Sequence, residues 1–239
     1  MSREHHYRFF VHPENIIGDI FVNENKDLIN QVRKVFRLKK GGTISVLDNS
    51  GYEYQVQIEE LGKNMIQGKV IEKMLNKTNN NRKIVLYMPL LKGKNIDLIL
   101  EKCTEIGVDA FCPILYQNSV IKASGVKERW KSIVREASEQ CGRNTLPQIK
   151  DPQNLKNIFD AVSKDINIVC EGPLSPSISE LKFNKDKNIN IYIGPEGGFS
   201  DHELDLMHKN SFFFCSLNQN VLRAETACIV SLGYLVNMW

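Results

Sequence analysis

Hydrophobic and polar residues alternate along the first third of the chain in a way that is typical of short β-strands. Residues 43–47 and 52–58 alternate with period two, and the turn-forming residues between them predict a hairpin. Residues 65–74 are predicted as a further strand, and residues 29–36 as a short helix. The pattern therefore predicts a small, mostly β unit over residues 1–75, built as a compact barrel.

A polar, asparagine-rich segment over residues 76–82 has no apolar period and is predicted as a linker. After it, short apolar runs alternate with stretches of helical spacing, which predicts an α/β domain with a largely parallel sheet over residues 83–239. Its strands are predicted at residues 83–88, 110–115, 167–170, 190–193 and 212–216. Its helices are predicted at residues 95–106, 128–141, 201–209 and 224–236.

The overall composition narrows the class of protein. Hydrophobic residues make up 42% of the chain and charged residues 25%, as in ordinary globular domains. The N-terminus lacks the apolar run of a secretory signal, and no apolar stretch is long enough to span a bilayer, so we expect a cytoplasmic protein with no membrane partner. The six cysteines form no C-x-x-C pair and stand at no ligand spacing from histidine, so reduced thiols and no metal are expected.

Charge is unevenly distributed along the chain. Residues 1–81 carry 12 Lys and Arg against 10 Asp and Glu, and residues 82–150 carry 12 against 7. Residues 151–239 carry 7 against 11. This asymmetry fits a polyanion bound by the first part of the chain and a different ligand bound by the last third, although a solvated basic face would show the same pattern.

A glycine-rich loop follows the strand predicted at residues 190–193. It contains Gly194, Pro195, Glu196 and Gly197, and Ser200 is placed to cap the helix that comes next. Open α/β sheets bind ligands at loops of this kind, where glycine lets backbone groups approach the ligand closely. The loop lacks both the G-x-x-x-x-G-K-[ST] and the G-x-G-x-x-G patterns, which argues against a nucleotide-hydrolysing or redox enzyme. A tight turn without a ligand is the alternative.

A second loop, residues 216–223, also follows an apolar strand and leads into a helix. Two such loops at neighbouring strand ends would flank one pocket. Arg223 and Glu225 precede or begin a helix that is otherwise apolar, where they could serve as a simple capping pair or take part in chemistry.

The two loops, G-P-E-G-G-F-S and V-L-R-A-E-T-A, closely resemble those of the methyltransferases that modify N3 of a uridine in 16S ribosomal RNA. Residues 92–107, 129–144, 8–10 and 35–41 are similar to further motifs of this family, in the same order, so the resemblance spans the whole chain. The chain departs from the family at Asn218, where glycine is usual, and at Phe36, where leucine is usual. Asparagine tolerates positive φ better than most residues, so the loop is expected to keep its shape.

The resemblance implies a fold that periodicity could not have predicted. It implies an α/β protein with a C-terminal SPOUT-class methyltransferase domain, which contains a deep trefoil knot, preceded by a small PUA-like β-barrel that binds RNA. It also implies S-adenosylmethionine as cofactor, 16S ribosomal RNA or the small ribosomal subunit as partner, and a homodimer with active sites shared between subunits. The implied cofactor-binding residues are Ile193, Gly194, Pro195, Glu196, Gly197, Leu217, Asn218, Val221 and Leu222.

Methylation of uracil N3 requires removal of the N3 proton and stabilisation of the resulting negative charge, so a base and a cation are expected near the nucleobase. N3 lies on the pairing edge, so the uridine must be unpaired or flipped out. The candidate cations are Arg8, Arg143 and Arg223, and the candidate bases are Glu136, Glu139 and Glu225. The candidate RNA-binding residues are Arg8, Arg37, Lys92, Lys94, Lys102 and Arg143.

Three alternatives stay open at this point. Each arginine could instead clamp a phosphate or a carboxylate. The chain could be a non-catalytic RNA-binding protein, although the complete motifs at Gly194–Gly198 and Arg223–Ala227 argue against this. It could also be a SPOUT methyltransferase that acts on transfer RNA or on another atom of a base.

Overall fold

The described part of the chain forms two units, each with its own sheet and core. A computed structural model describes residues 7–75, 82–121, 125–182 and 186–237. The first unit contains residues 7–75 together with Ser138–Leu146, and the second contains the other described residues. The division falls within the predicted linker, of which residues 76–81 lie outside the described residues. Sequence periodicity had given no reason to assign Ser138–Leu146 to the first unit.

The first unit is built on a six-stranded sheet with the order β1-β4-β5-β6-β3-β2. β1 pairs with β4 in parallel, and the remaining pairings are antiparallel. The predicted hairpin and the following strand are confirmed as β4, β5 and β6. In the sheet as described, β1 and β2 are edge strands, so the predicted closed barrel is not confirmed. The strands are β1 (Arg8–Phe10), β2 (Ile16–Ile17), β3 (Ile20–Asn23), β4 (Thr43–Leu47), β5 (Tyr52–Leu61) and β6 (Ile66–Leu75).

One short helix covers the core of this sheet. Its start differs from the predicted residue 29, because the side chain of Asn25 accepts hydrogen bonds from the backbone N–H groups of Asp27 and Leu28 and caps α1 (Lys26–Asn30). A π-helical turn, Gln31–Val35, continues it. The helix buries Leu28, Ile29 and Val32 against the inward-facing side chains of the sheet, which include Phe21, Ile44, Val56 and Ile66.

The second unit is an α/β domain with an entirely parallel sheet, as the alternating pattern predicts. The sheet has the order β10-β8-β7-β12-β11-β13, and β9 also pairs with β8. The strands are β7 (Ile84–Pro89), β8 (Ala110–Leu115), β9 (Gln148–Ile149), β10 (Gln153–Asn154), β11 (Ile166–Cys170), β12 (Ile189–Ile193) and β13 (Phe213–Cys215). The helices are α2 (Asn95–Ile106), α3 (Glu128–Cys141), α4 (Phe159–Val162), α5 (Asp201–Lys209) and α6 (Ala224–Asn237).

Burial explains why the strands of this unit are continuous apolar runs. Helices cover both faces of a parallel sheet, so its side chains are buried on both sides. Every residue of β12 is buried, and Ile189 and Ile191 pack into one core cluster while Tyr192 packs into the other. α2 and α6 both contribute to the first of these clusters, through residues such as Leu100 and Leu232.

α6 is less completely enclosed than its apolar sequence predicts. Cys228, Leu232 and Leu235 are fully buried, but Val230 is 40% exposed and Tyr234 is 36% exposed on the opposite side of the helix. Within the described residues, none of the helices combines the length and the apolar character needed to cross a bilayer.

Candidate functional site

Loops at the carboxyl ends of β11, β12 and β13 line a cavity of about 650 Å³. The three strands are neighbours in the parallel sheet, so their carboxyl ends and the loops that follow them meet at one edge. The first turn of α6 and Asn95 at the start of α2 complete the lining. This volume and the mixture of apolar and polar lining residues are typical of sites that bind small molecules.

The glycine-rich loop after β12 forms one wall of the cavity. Of the predicted cofactor-binding residues, Ile193, Gly194, Pro195 and Glu196 line the cavity. Gly197 instead lies against the loop after β8, where an added Cβ would be 3.2 Å from Cβ of Asn118.

Asn118 is a residue of this site that sequence reasoning missed. Its side-chain Nδ2 donates hydrogen bonds of 3.2 Å to the backbone carbonyls of Gly197 and Gly198. Gly198 has φ of +70°, a conformation that favours glycine. The tip of the loop is therefore held from outside the cavity, and its other side is left to face the cavity.

The predicted cap of α5 is confirmed, and Glu203, which takes part in it, also binds the loop after β8. The hydroxyl of Ser200 accepts a hydrogen bond from the backbone N–H of Glu203, and the Glu203 carboxylate accepts from the backbone N–H of Ser200, which is a capping box. The same carboxylate, although buried, also accepts a hydrogen bond of 2.8 Å from the backbone N–H of Gln117. Glu203 therefore joins the loop after β8 to the start of α5.

The loop after β13 forms the opposite wall of the cavity. The predicted residues Leu217, Asn218, Val221 and Leu222 all line it. The Ser216 hydroxyl donates a hydrogen bond of 2.8 Å to the backbone carbonyl of Asn218. Asn218 is not among the described non-glycine residues that have positive φ, so asparagine stands at this position without strain in the conformation seen here.

Arg223 and Glu225 are the two predicted catalytic residues that line the cavity. Arg223 is exposed, whereas Glu225 is only 8% exposed. Glu136, the other candidate base of this unit, lies on an exposed position of α3 and does not belong to the lining. The structure therefore brings together one cation and one carboxylate of the predicted set.

Arg8, Arg143 and Glu139 belong to the first unit and make contacts within it. Nη1 of Arg8 donates a hydrogen bond of 2.8 Å to Glu53, and its Nη2 donates to the side chain of Asn144 and to the backbone carbonyl of Arg143. Nε of Arg143 donates to the backbone carbonyl of Thr145. The largely buried guanidinium of Arg8 therefore pairs with a carboxylate of its own unit.

The carboxylate of Glu139 also has a structural partner within the first unit. It accepts a hydrogen bond of 2.8 Å from the backbone N–H of Phe10. Of the aromatic residues near these sequence motifs, Phe9 is part of the core of the first unit and Trp130 part of the core of the second.

The predicted RNA-binding residues fall into two groups. Arg37, Lys92 and Lys94 are exposed. Lys102 instead donates hydrogen bonds to Glu101 and Glu105, and these bonds raise the pKa of Lys102 to about 12. Its charge is balanced by its neighbours, which makes it a weaker candidate for a phosphate contact.

The loop after β11 was not predicted as part of the site. Cys170, Glu171, Gly172 and Pro173 all line the cavity. The available signal was the end of the strand predicted at residues 167–170, because every parallel strand end at this edge can contribute a loop. A hydrogen bond with Cys215 and burial raise the pKa of the Cys170 thiol. Among the described residues, no group of three or more His, Cys, Asp or Glu side chains could hold a metal ion.

Comparison with known proteins gives this architecture a family. The family model of the RNA methyltransferase domain matches residues 78–236. Ribosomal RNA small subunit methyltransferase E of Synechocystis is 32% identical over 235 residues, which cover 96% of this chain and 77% of that protein. The protein of the same name from Mesomycoplasma hyopneumoniae is 32% identical over 231 residues, which cover 95% and 97%.

The fold is also shared with a solved structure of a protein of this name. The crystal structure from Neisseria gonorrhoeae, bound to S-adenosyl methionine, superposes with a TM-score of 0.88 at 23% identity and covers 98% of both chains. At this identity the likeness concerns the fold alone. The family model and the sequence relatives carry the assignment, and the chain therefore belongs to the RNA methyltransferase family that includes ribosomal RNA small subunit methyltransferase E.

Proposed function

We propose that the protein transfers the methyl group of S-adenosylmethionine to N3 of a uridine in 16S ribosomal RNA, either as the RNA itself or within the small ribosomal subunit. The observation that carries the proposal is the cavity at the ends of β11, β12 and β13, where Arg223 and Glu225 of the V-L-R-A-E-T-A motif face the same space as the glycine-rich loop. Named relatives along nearly the whole chain are ribosomal RNA methyltransferases, which supports this substrate class.

The cavity fits a bound adenosylmethionine molecule. Ile193, Leu217, Val221 and Leu222 offer apolar surface to an adenine ring, and the backbone of the two loops offers hydrogen-bonding groups to its polar edge. At Gly194 an added Cβ would lie 3.2 Å from the Phe199 ring. Because glycine has no side chain, the backbone of the loop can pack directly against this ring. When bound, the cofactor supplies an electrophilic methyl group on a positively charged sulfur.

The chain must then place a uracil and manage its N3 proton. We assign Arg223, at the cavity, to stabilise the negative charge that spreads over N3 and the adjacent carbonyl oxygens. Glu225 is the candidate proton acceptor, because it lines the same cavity and is two positions from Arg223 in the sequence. Glu136 and Glu139 are the alternatives. Methyl transfer of this kind is mainly a positioning task. Arg8 serves it indirectly, because its hydrogen bonds to the side chain of Asn144 and to the backbone carbonyl of Arg143 hold Ser138–Leu146 against the start of β1.

Binding of ribosomal RNA is assigned to exposed basic residues. Arg37 in the first unit and Lys92 and Lys94 in the second are the best placed, because none has a carboxylate partner among the described residues. The first unit would act as a PUA-like RNA-binding barrel, with its six-stranded sheet as the framework. A ribosomal substrate also agrees with the cytoplasmic location predicted from the sequence.

A knotted C-terminal segment and a homodimer complete the proposal. The parallel sheet order, in which β12 and β11 separate β7 from β13, provides the framework for a trefoil knot of the SPOUT class. The exposed apolar side chains of Val230 and Tyr234 on α6 support a second copy as the partner of this helix. Val230→Glu should then produce a monomer in sedimentation experiments, whereas Val120→Glu, at a site 63% exposed elsewhere in this unit, should not.

Methylation at N3 can be tested directly because it blocks the pairing edge of the base and stops reverse transcription. Small ribosomal subunits from cells that lack the gene would be incubated with the protein and S-adenosylmethionine and mapped by primer extension. We expect one new stop at a uridine, and a rate about a hundredfold lower for Arg223→Ala. Lys187→Ala, an exposed change in the same unit, serves as the control. The absence of a stop in 16S ribosomal RNA, or a stop in transfer RNA when that RNA is supplied in a parallel reaction, would overturn the proposed substrate.

A further inference from the structure

We propose that the charge of the cavity makes the protein bind S-adenosylmethionine in preference to S-adenosylhomocysteine, its product, and that Glu225 contributes most to this preference. The inference rests on the proposed function, since it concerns the ligand of the same cavity. It goes beyond that function, because methyl transfer by itself does not require the protein to bind S-adenosylmethionine more tightly than S-adenosylhomocysteine.

The first observation is the balance of charged side chains around the cavity. Three carboxylates line it, those of Glu171, Glu196 and Glu225, and Arg223 is the one cationic side chain among the lining residues. Glu196 and Arg223 are exposed, so water and salt screen their charges. Glu171 is half-buried and Glu225 is buried, so the two least screened charges of the cavity are both negative.

The second observation is the state of Glu225. The residue as a whole is only 8% exposed, and among the described residues no hydrogen bond or ion pair holds its carboxylate. It stands in the first turn of α6, where the backbone N–H groups favour an anion. The oxygens of Glu225 are not among the enclosed, unpaired polar atoms of the described residues, so they keep contact with the space of the cavity, where a cation can approach them.

The chemistry of the transfer removes such a cation. When the methyl carbon bonds to N3 of uracil, the electron pair of the bond to sulfur stays on sulfur, and the N3 proton passes to a base. The positively charged sulfonium becomes a neutral thioether, while the adenosine and the amino acid part of the ligand are unchanged. Glu225 attracts the ligand before transfer and loses that attraction afterwards, so the product leaves more readily than the substrate.

Titration calorimetry at low ionic strength can measure this preference without RNA. We expect S-adenosylmethionine to bind the intact protein about tenfold more tightly than S-adenosylhomocysteine, and the ratio to fall close to one in Glu225→Gln. Sinefungin, which carries an ammonium group near the position of the sulfonium, should follow S-adenosylmethionine. Glu171→Gln should reduce the ratio by a smaller factor, and it keeps the test informative if circular dichroism shows that Glu225→Gln does not fold.

Asp205→Asn provides a matched control, because it removes one negative charge from an exposed position of α5 outside the cavity, and the ratio should not change. If Glu225→Gln weakens both ligands equally, its carboxylate binds a part that they share, and the inference is wrong. Equal affinities in the intact protein would also overturn it. These results differ from a failure of the proposed function, in which the intact protein would bind neither ligand.

Discussion

The carboxylate of Glu203 and the backbone N–H of Gln117 form a hydrogen bond of 2.8 Å that ties the start of α5 to the loop after β8. The other carboxylate oxygen accepts bonds of 2.8 and 3.0 Å from the backbone N–H and the hydroxyl of Ser200. Ser200 ends the glycine-rich loop that forms one wall of the cavity. The buried side chain of Glu203 therefore holds the end of the glycine-rich loop, where α5 begins, next to the loop after β8.

Glu203→Ala should destabilise the second unit by about 3 kcal/mol, because it leaves the N–H groups of Gln117 and Ser200 without their acceptor in a buried place. Urea unfolding monitored by circular dichroism measures the loss. Asp205→Asn, on an exposed position of the same helix, should change stability by less than about 0.5 kcal/mol. Equal stability of Glu203→Ala and the parent protein would show that these bonds do not hold the loop.

Local pattern was sufficient to predict the longer strands and helices of the second unit and two of its three cavity loops, but not the short elements β9, β10 and α4. The alternation of short apolar runs with helical spacing located β7, β8, β11 and β12 because both faces of a parallel sheet are covered. The glycines that follow a predicted strand located the loop after β12. The assignment to the RNA methyltransferase family, which rested on the motifs in the two loops, is also confirmed.

The features that sequence did not predict depend on contacts between distant residues. The partners of Arg8 could not be predicted, because Glu53 is 45 positions away and Asn144 is 136 positions away, so neither contact leaves a local pattern. Asn118 supports a loop 79 positions later by the same kind of contact. The predicted barrel depends on whether β1 and β2 pair, which alternation within a strand does not specify.

Gly194→Ala should weaken binding of S-adenosylmethionine by about tenfold, which corresponds to about 1.4 kcal/mol. The new Cβ would lie 3.2 Å from the Phe199 ring, and that ring packs edge-on against buried Tyr116 and has little room to move. The loop would shift toward the cavity. Calorimetry measures the change, and Gly125→Ala, whose added Cβ meets its first neighbour at 3.9 Å, is the control.

A compensating substitution can attribute the effect of Gly194→Ala to this contact. Phe199→Leu removes part of the ring that the new Cβ would meet, so the double variant should lose less affinity than the sum of the two single variants. Strict additivity would mean that Gly194 acts through something other than its contact with Phe199.

The thiols should react in an order set by burial. Burial raises the pKa of Cys112 to about 11 and also raises the pKa values of Cys103 and Cys228, so these groups are protonated at pH 8. Cys141 is exposed. A thiol-reactive dye at pH 8 should label about one cysteine rapidly in the native protein and all six in denaturant. Cys141→Ser should abolish the rapid phase, and its persistence would show that a buried thiol is accessible.

Lys92 and Lys102 should contribute differently to RNA affinity although they stand ten positions apart in one basic segment. Lys92 is exposed, whereas Lys102 is paired with Glu101 and Glu105 and displaces few counterions when RNA binds. Filter binding of ribosomal RNA over a salt series should give a slope of log affinity against log salt that is shallower by about 0.7–0.9 for Lys92→Ala. Lys102→Ala should change the slope by much less. If Lys102→Ala has the larger effect, RNA must break the pairs with Glu101 and Glu105, and the RNA-binding surface lies along α2 rather than before it.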